Sequence, residues 1–342
     1  MRNYKIQRSL MAFAVLVVFA WAVEVDAAGF CSQTADILFS ACKAGVTDDA
    51  LVNKAICLNI EDSAERDECQ SDAQDTKQED SQLCQDQHSW RLDACKLVGE
   101  DRYDPDFDPS HFDSDFTNLT KPNPYFPLTI GNSWKYQGGG EVNTIVVLDR
   151  TKLMEDGVRC IVFRDKVFTA EGLKESTDDW FAQATNGDVW YCGEEVKDYE
   201  FFEGDQPEKP ELVSIDGSFK AGRDGDKPGI IFLVKPKKDD VIVEEFSLAN
   251  AEDVTVILSA NYSFGKNSDL DQMVPQQLAD RFCSNNDCVV TKNFSLLEPG
   301  VIDRKYYARG IGVFLEVELT AGSISQLVEC NFDSRCENLP QP

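Results

Sequence analysis

Residues 31–95 read CSQTADILFSACKAGVTDDALVNKAICLNIEDSAERDECQSDAQDTKQEDSQLCQDQHSWRLDAC, with cysteines at Cys31, Cys42, Cys57, Cys69, Cys84 and Cys95. The successive gaps are 11, 15, 12, 15 and 11 residues, a series that reads the same in both directions. Cys31 with Cys95, Cys42 with Cys84 and Cys57 with Cys69 are each symmetric about residue 63. Two antiparallel arms folded there bring all three pairs opposite one another. Residues 31–60 and 63–98 contain no proline and are rich in Ala, Leu, Glu, Asp, Gln and Lys, so both arms are predicted as helices. Helices rise about 1.5 Å per residue, and equal spacing keeps the pairs level. A gap of 11 returns a cysteine to nearly the same face, while a gap of 15 drifts by about 60°, which a gentle supercoil absorbs. Asp62 followed by Glu65 resembles a capping box at the start of the second arm. Gly45-Val46-Thr47 is expected to interrupt the first arm, and Glu79-Asp80-Ser81 is the weakest stretch of the second. Six cysteines allow fifteen connectivities, and the symmetry selects one. A thin two-helix hairpin has little core of its own and needs such staples.

Upstream of the hairpin, Arg2, Lys5 and Arg8 precede the apolar run Leu10–Val23, and Val25-Asp26-Ala27 offers small residues at a cleavage site. Residues 1–27 are predicted as a signal peptide. No other stretch approaches the length of a membrane span, so no transmembrane segment is expected in the mature chain. Phe30 before Cys31 departs from the small-residue pattern of a lipid-anchored cysteine. All twelve cysteines fall after the signal, and no Cys-x-x-Cys pair occurs, which predicts disulfides in an oxidising compartment, periplasmic or extracellular. The chain carries 33 basic and 61 acidic residues, a net charge of −28. Loss of residues 1–27 removes three bases and two acids and leaves about −29. That field repels nucleic acid and anionic lipid and attracts cations and basic proteins. With 42% apolar residues the chain has enough material for a core.

Downstream, the hairpin (28–99) ends at Gly99, a suitable C-cap. Residues 100–124 form an acidic, Pro- and Asp-rich linker whose Tyr103, Phe107 and Phe112 are expected to dock on a neighbouring surface. Asp104, Asp106, Asp108, Asp113 and Asp115 form the candidate metal ligands. Their alternation suits calcium, although the glycine and closing glutamate of an EF-hand are missing. His111 lies among them, and His88, the other of the two histidines, lies on the hairpin.

From Tyr125 the character changes to β-branched and aromatic runs separated by turn signals. Strands are predicted at 132–138, 142–153, 158–169, 175–184, 188–193, 229–234, 241–247, 253–264, 288–296, 301–308, 311–319 and 323–330, with a short helix near 273–282 and a long loop over 203–228. Asn186-Gly187 predicts a type I′ hairpin. The fold class is thus α+β: a disulfide-stapled antiparallel helical hairpin followed, over 125–336, by a mainly antiparallel β domain, a curled meander, barrel or half-barrel. Cys160 and Cys192 lie on strands read as neighbours, so a cross-strand bridge is expected. Cys283 and Cys288, like Cys330 and Cys336, are short-range pairs that either close small loops or exchange partners.

No Gly-x-Ser-x-Gly, His-Glu-x-x-His, Gly-x-Gly-x-x-Gly or phosphate-loop motif occurs, and two histidines make a Ser-His-Asp triad a poor reading. A carboxylate-pair hydrolase stays open, with 59 acids in the mature chain and no means of picking the pair. Trp134, Tyr136, Trp180, Trp190, Tyr191, Tyr306 and Tyr307 are read as packing residues before sugar platforms. Arg150, Arg164 and Lys305 are read as partners of nearby acids. Clustered in a cavity, they would instead mark an anionic ligand. Asn118, Asn261 and Asn293 head N-glycosylation sequons.

Tyr125-Phe126-Pro127-Leu128 with Gly131-Asn132-Ser133-Trp134-Lys135-Tyr136 resembles the opening of a β-rich domain in secreted bacterial proteins of unknown function. Asp179-Trp180-Phe181-Ala182-Gln183 with Gly187-Asp188-Val189-Trp190-Tyr191-Cys192-Gly193-Glu194 is similar to that family's central hairpin. Leu297-Glu298-Pro299-Gly300-Val301 and Lys305-Tyr306-Tyr307-Ala308-Arg309-Gly310-Ile311-Gly312 are similar to its closing strands. The last phrase also resembles periplasmic half-barrels related to lipoprotein carriers. The resemblance implies an exported bacterial protein, no known catalytic residue and, from the half-barrels, an apolar ligand. The leading expectation is an exported, non-enzymatic binding or interaction protein, with the β domain as binding body and the hairpin as rigid arm, and with a small molecule or a protein as partner. Its rivals are a calcium-binding surface protein and the carboxylate hydrolase.

Overall fold

The computed structural model describes residues 29–342, so the expected signal peptide lies outside the described residues. Helix α1 spans Phe30–Leu58 and helix α2 spans Ser63–Val98. Asp62 caps α2, its carboxylate accepting from the N–H groups of Ala64 and Glu65 at 2.8 and 3.0 Å. The far end closes on Gly99, at φ 92°, whose N–H donates to the Cys95 carbonyl. Disulfides join Cys31 to Cys95, Cys42 to Cys84 and Cys57 to Cys69, with Cα–Cα distances of 5.5–5.8 Å. Few side chains in the hairpin are buried (Ala35, Val46 and Cys57 on α1, and Cys84, Arg91, Ala94 and Cys95 on α2), so the bridges stand where a larger core would.

One expectation fails here. Helix α1 runs unbroken through Gly45-Val46-Thr47. A helical glycine costs about 1 kcal/mol against alanine. Val46 is buried and the Cys42–Cys84 bridge lies one turn away, and this local support outweighs the penalty. The start of α1 is finished from outside. Glu100 takes Ser32 N–H at 3.0 Å and Ser32 Oγ–H at 2.5 Å, and its carbonyl takes Phe30 N–H. The two Ser32 bonds hold the Glu100 carboxyl below its ordinary range.

The segment that follows, with a 3₁₀ turn at Pro109–His111, lies on the β body. Phe107 and Phe112 pack edge to face at 4.8 Å and both meet Trp190. Tyr103 donates to the Pro228 carbonyl and packs on Phe246. Phe116, further along, joins the main core.

Among the described residues fifteen strands then build one sheet. They are β1 (Ser133–Gly138), β2 (Glu141–Leu153), β3 (Arg159–Thr169), β4 (Gly172–Gln183), β5 (Val189–Glu195), β6 (Asp198–Glu200), β7 (Glu211–Ser214), β8 (Phe219–Lys220), β9 (Gly229–Phe232), β10 (Val241–Val243), β11 (Asp253–Tyr262), β12 (Cys288–Ser295), β13 (Asp303–Ala308), β14 (Gly312–Glu318) and β15 (Ser323–Cys330), with helix α3 (Gln276–Phe282) between β11 and β12. Every pairing is antiparallel. The order runs β10-β11-β12-β13-β14-β15-β1-β2-β3-β4-β5-β8, so the last strand pairs with the first and fuses two meanders. The path ends at β10 and β8 without closing, and of the expected forms the curled open sheet is the one adopted. Strands β7 and β8 fall within the stretch read as a plain loop over 203–228. They are four and two residues long, too short for a period-2 signal.

Alternation gives the long strands two faces. On β3, Ile161 and Phe163 enter the main core, while Cys160 and Val162 join a smaller cluster under Phe107 and Phe112. Cys160 bonds Cys192 within that smaller cluster. Strand β4 lies between β3 and β5, so this bridge joins next-nearest strands rather than the neighbours expected; Ala182 of β4, in the same cluster, is fully buried. Cys283–Cys288 and Cys330–Cys336 are local, completing six bridges with no free cysteine among the described residues. Six bridges point to export from the reducing cytosol. The Asn186-Gly187 turn also differs from expectation. Only Gly187 has positive φ, at 101°, whereas type I′ needs it at both central residues. The bonds Gly187 N–H to Ala184 O and Ala184 N–H to Asp188 O describe a longer turn with glycine in the left-handed position.

Candidate ligand-binding site

The curl of the sheet brings β1–β4 face to face with β13 and β14 around a cavity of about 260 Å³. Period-2 alternation supplies its lining: Trp134 and Tyr136 from β1, Asn143 and Ile145 from β2, Phe163 and Asp165 from β3, Asp179 and Phe181 from β4, Lys305 and Tyr307 from β13, and Glu316 from β14. One end is aromatic. Phe163 meets Phe181 edge to face at 4.9 Å, Trp134 stacks on Phe163 at 6.0 Å, and Phe126 packs on both phenylalanines. Polar tips of the aromatics are tied off, with Trp134 Nε1–H donating to the Ile311 carbonyl at 2.7 Å and Tyr136 O–H to that of Val313 at 3.0 Å.

The other end is acidic. Asn143 Nδ2 donates to Asp165 Oδ2 at 3.1 Å. Asn143 Oδ1 and Asp165 Oδ1 are buried and have no donor among the described residues. Burial pushes the Asp165 carboxyl up to about 8, aided by the charge of Asp179 and opposed by the Asn143 hydrogen bond. Burial also raises Asp179, to about 6, while the Tyr191 hydroxyl donating at 2.6 Å holds it back. Lys305 Nζ lies 3.9 Å from Glu316, whose charge keeps the ammonium well above its ordinary range. A band of carboxyls continues behind the cavity. Burial raises Glu194, Glu245 and Asp253, and lifts Glu244 to about 7 beside Asn293.

Of the basic residues weighed from the sequence, only Lys305 enters the cavity, and it is matched by Glu316. Arg150 and Arg164 share Asp178 away from the cavity lining. The anionic-ligand expectation therefore lacks its cluster. Asn293 is buried and donates to Glu244, out of reach of glycosylation, whereas Asn118 and Asn261 are exposed.

The linker aspartates do not converge. Asp104 pairs with Lys227 at 2.6 Å, and Asp108 accepts from Ser110 N–H at 2.8 Å. Asp113 accepts from Thr120, Asp115 accepts from Thr117, and Asp106 lies 3.4 Å from His111. Among the described residues no three His, Cys, Asp or Glu side chains are grouped to hold a metal. His88 stacks on Phe39 at 4.7 Å and meets Asp36 at 2.8 Å.

A second hollow, about 860 Å³, lies between the hairpin base and β9–β11. Phe30, Ile37, Leu97, Val241, Phe246 and Leu248 give it apolar walls. Beside them Arg91 of α2 forms a two-pronged pair with Glu252, both bonds at 2.9 Å and both side chains 5% exposed. Trp90 Nε1–H donates to the Ser295 carbonyl and Gln87 to that of Leu297, so α2 is bolted to the sheet along one face.

No protein-family model matches the chain, and no curated protein matches it. A solved structure of a predicted lipoprotein from Parabacteroides distasonis aligns with 62% of this chain and 98% of its own, at 10% identity and a TM-score of 0.25. Similarity at that level fixes neither fold nor function. Among the described residues no helix is long and apolar enough to cross a membrane.

Proposed function

We propose that the protein is an exported, non-enzymatic binding protein of the periplasm or extracellular space. Its β body, 125–336, holds a small ligand in the cavity between β1–β4 and β13–β14. The hairpin, 28–99, acts as a rigid arm, and residues 100–124 strap the two together. The observation that supports the reading is a preformed hollow with an aromatic end and a few convergent polar groups, the usual make-up of a small-molecule site. At about 260 Å³ it suits a compact ligand, because pockets for drug-sized molecules start at roughly 300 Å³. The test is native mass spectrometry of the full exported chain. A bound mass that disappears on denaturation is expected, and Ile145→Trp, which fills the hollow, removes it. An unliganded chain whose melting temperature no compound in a metabolite library shifts would sink the reading.

One observation favours the hydrolase as a second reading. Asp165 and Asp179 share the cavity, and their proton affinities are pushed apart, as an acid and its partner base require. Turnover of chromogenic glycosides that vanishes in Asp179→Asn would support it. The calcium reading rests on linker carboxylates that already have protein partners, and calorimetry with millimolar calcium tests it.

A further inference from the structure

On the reading that the cavity holds a ligand, we propose that it selects a small primary or secondary ammonium compound whose apolar body lies against Trp134, Phe163 and Phe181. The charges facing the hollow are Asp165, Asp179, Glu316 and Lys305. Lys305 and Glu316 offset each other, which leaves two carboxyls and no further cation. One Asp179 oxygen is held by Tyr191, and one Asp165 oxygen by Asn143. The remaining Asp165 oxygen and the Asn143 carbonyl oxygen are buried acceptors without donors. Buried polar atoms left unpaired cost on the order of 1–3 kcal/mol each. With Asp165 ionised the site is short of positive charge and N–H donors; the free protein meets the shortage by keeping a proton on Asp165, and an ammonium head supplies both and displaces that proton.

Other ligand classes fit less well. An anion meets the charge of Asp179 and keeps Asp165 from ionising. A quaternary ammonium brings charge without a donor. A metal ion needs a set of oxygen ligands, and no three acids are grouped for one among the described residues. The aromatic walls suit the hydrocarbon part and add cation–π attraction for a head that passes them.

Binding carries a proton signature. The groups facing Asp165 are Asn143 on β2, Asp179 and Glu175 on β4, Glu316 on β14, and, across the cavity, Lys305 on β13 and Tyr136 on β1. Free Asp165 holds its proton up to about pH 8. A bound ammonium stabilises the carboxylate, so that proton leaves on binding. Affinity therefore rises with pH, by up to about tenfold per unit, below the Asp165 titration near 8 and levels off above it.

The experiment is titration calorimetry of the full chain with phenethylamine, 2-phenylethanol, 3-phenylpropionate and trimethyl(phenethyl)ammonium, each in two buffers of different ionisation enthalpy. One-to-one binding of phenethylamine, at least tenfold tighter than the alcohol or the quaternary compound, with release of close to one proton, is expected. Asp165→Asn weakens it at least tenfold and removes the proton release. The pH profile of the unmodified protein makes the same test should that variant not fold. Alcohol or carboxylate binding as tight as the amine overturns the ligand class and leaves the binding function standing. Heat from none of the four, on a chain that native mass spectrometry shows to hold another molecule, also overturns the class alone. Heat from none, on a chain that holds nothing, overturns both.

Discussion

Asp165 shows how one residue makes stability depend on pH. Burial raises Asp165 to about 8, Glu244 to about 7, and Asp179 and Asp303 to about 6. An unfolded carboxyl titrates at about 4, so the folded chain binds these protons more tightly than the unfolded one. The contribution is fully present at low pH and is lost as pH climbs from about 4 to 8. Thermal melts followed by circular dichroism should give a lower melting temperature at pH 8 than at pH 5.5, and Asp165→Asn should flatten the upper half of that slope. A flat or rising profile would contradict the assignment. Arg91 makes the opposite point, because its charge is matched. Arg91→Met strands the buried Glu252 carboxylate and should cost about 3–5 kcal/mol in urea unfolding, and adding Glu252→Met should recover most of the loss. Neither residue stood out in the sequence. Asp165 is one of 61 acids. The available signal was subtle: inward positions 161, 163, 165 and 167 of β3 read Ile, Phe, Asp, Val, a single charge in an apolar column. The cysteines were legible because their information is arithmetic, and arithmetic survives without coordinates.

At the scale of elements, the hairpin was readable and the sheet's wiring was not. Equal spacing between cysteines encodes antiparallel helices directly, since both arms climb at one rate. The long strands stood out by alternation, and most predicted ends lie within two residues of those observed. The pairing of β1 with β15 left no local mark, because nothing in a turn sequence reports on a strand nearly 200 residues away. The cavity depends on that pairing, which is why the site was invisible while its walls were not. Two variants test single elements. Replacing Cys42 and Cys84 together by serine opens the middle staple and should cost about 2–4 kcal/mol, read as earlier loss of helical signal in guanidinium. A Cβ on Gly229 would lie 1.8 Å from the Glu244 carbonyl oxygen, so Gly229→Ala must part β9 from the chain after β10. A cost of about 1–3 kcal/mol is expected, and an unchanged denaturation midpoint would mean the two segments are less closely apposed.

For the whole molecule, charge sets the conditions under which the parts cohere. A chain at −28 repels itself, and screening relieves that repulsion. Raising sodium chloride from 10 to 500 mM should therefore raise the melting temperature, and a fall would show that attractive ion pairs dominate instead. The acids are numerous outside and concentrated behind the cavity, and the proposed ammonium site draws on the same imbalance that the composition announces. The hairpin has a mechanical side as well. Helix α1 is about 43 Å long, and its partner is laddered to it at base, middle and tip by covalent rungs. Its hold on the β body is non-covalent apart from the main chain and centres on Gln87, Trp90 and Arg91 near the base. Covalent rungs resist a pull on the tip more strongly than hydrogen bonds and one ion pair do. Under such a pull the seam at Arg91 is therefore expected to open before the arm lengthens, a fuse at the shoulder that force spectroscopy of the full chain would register as the first step.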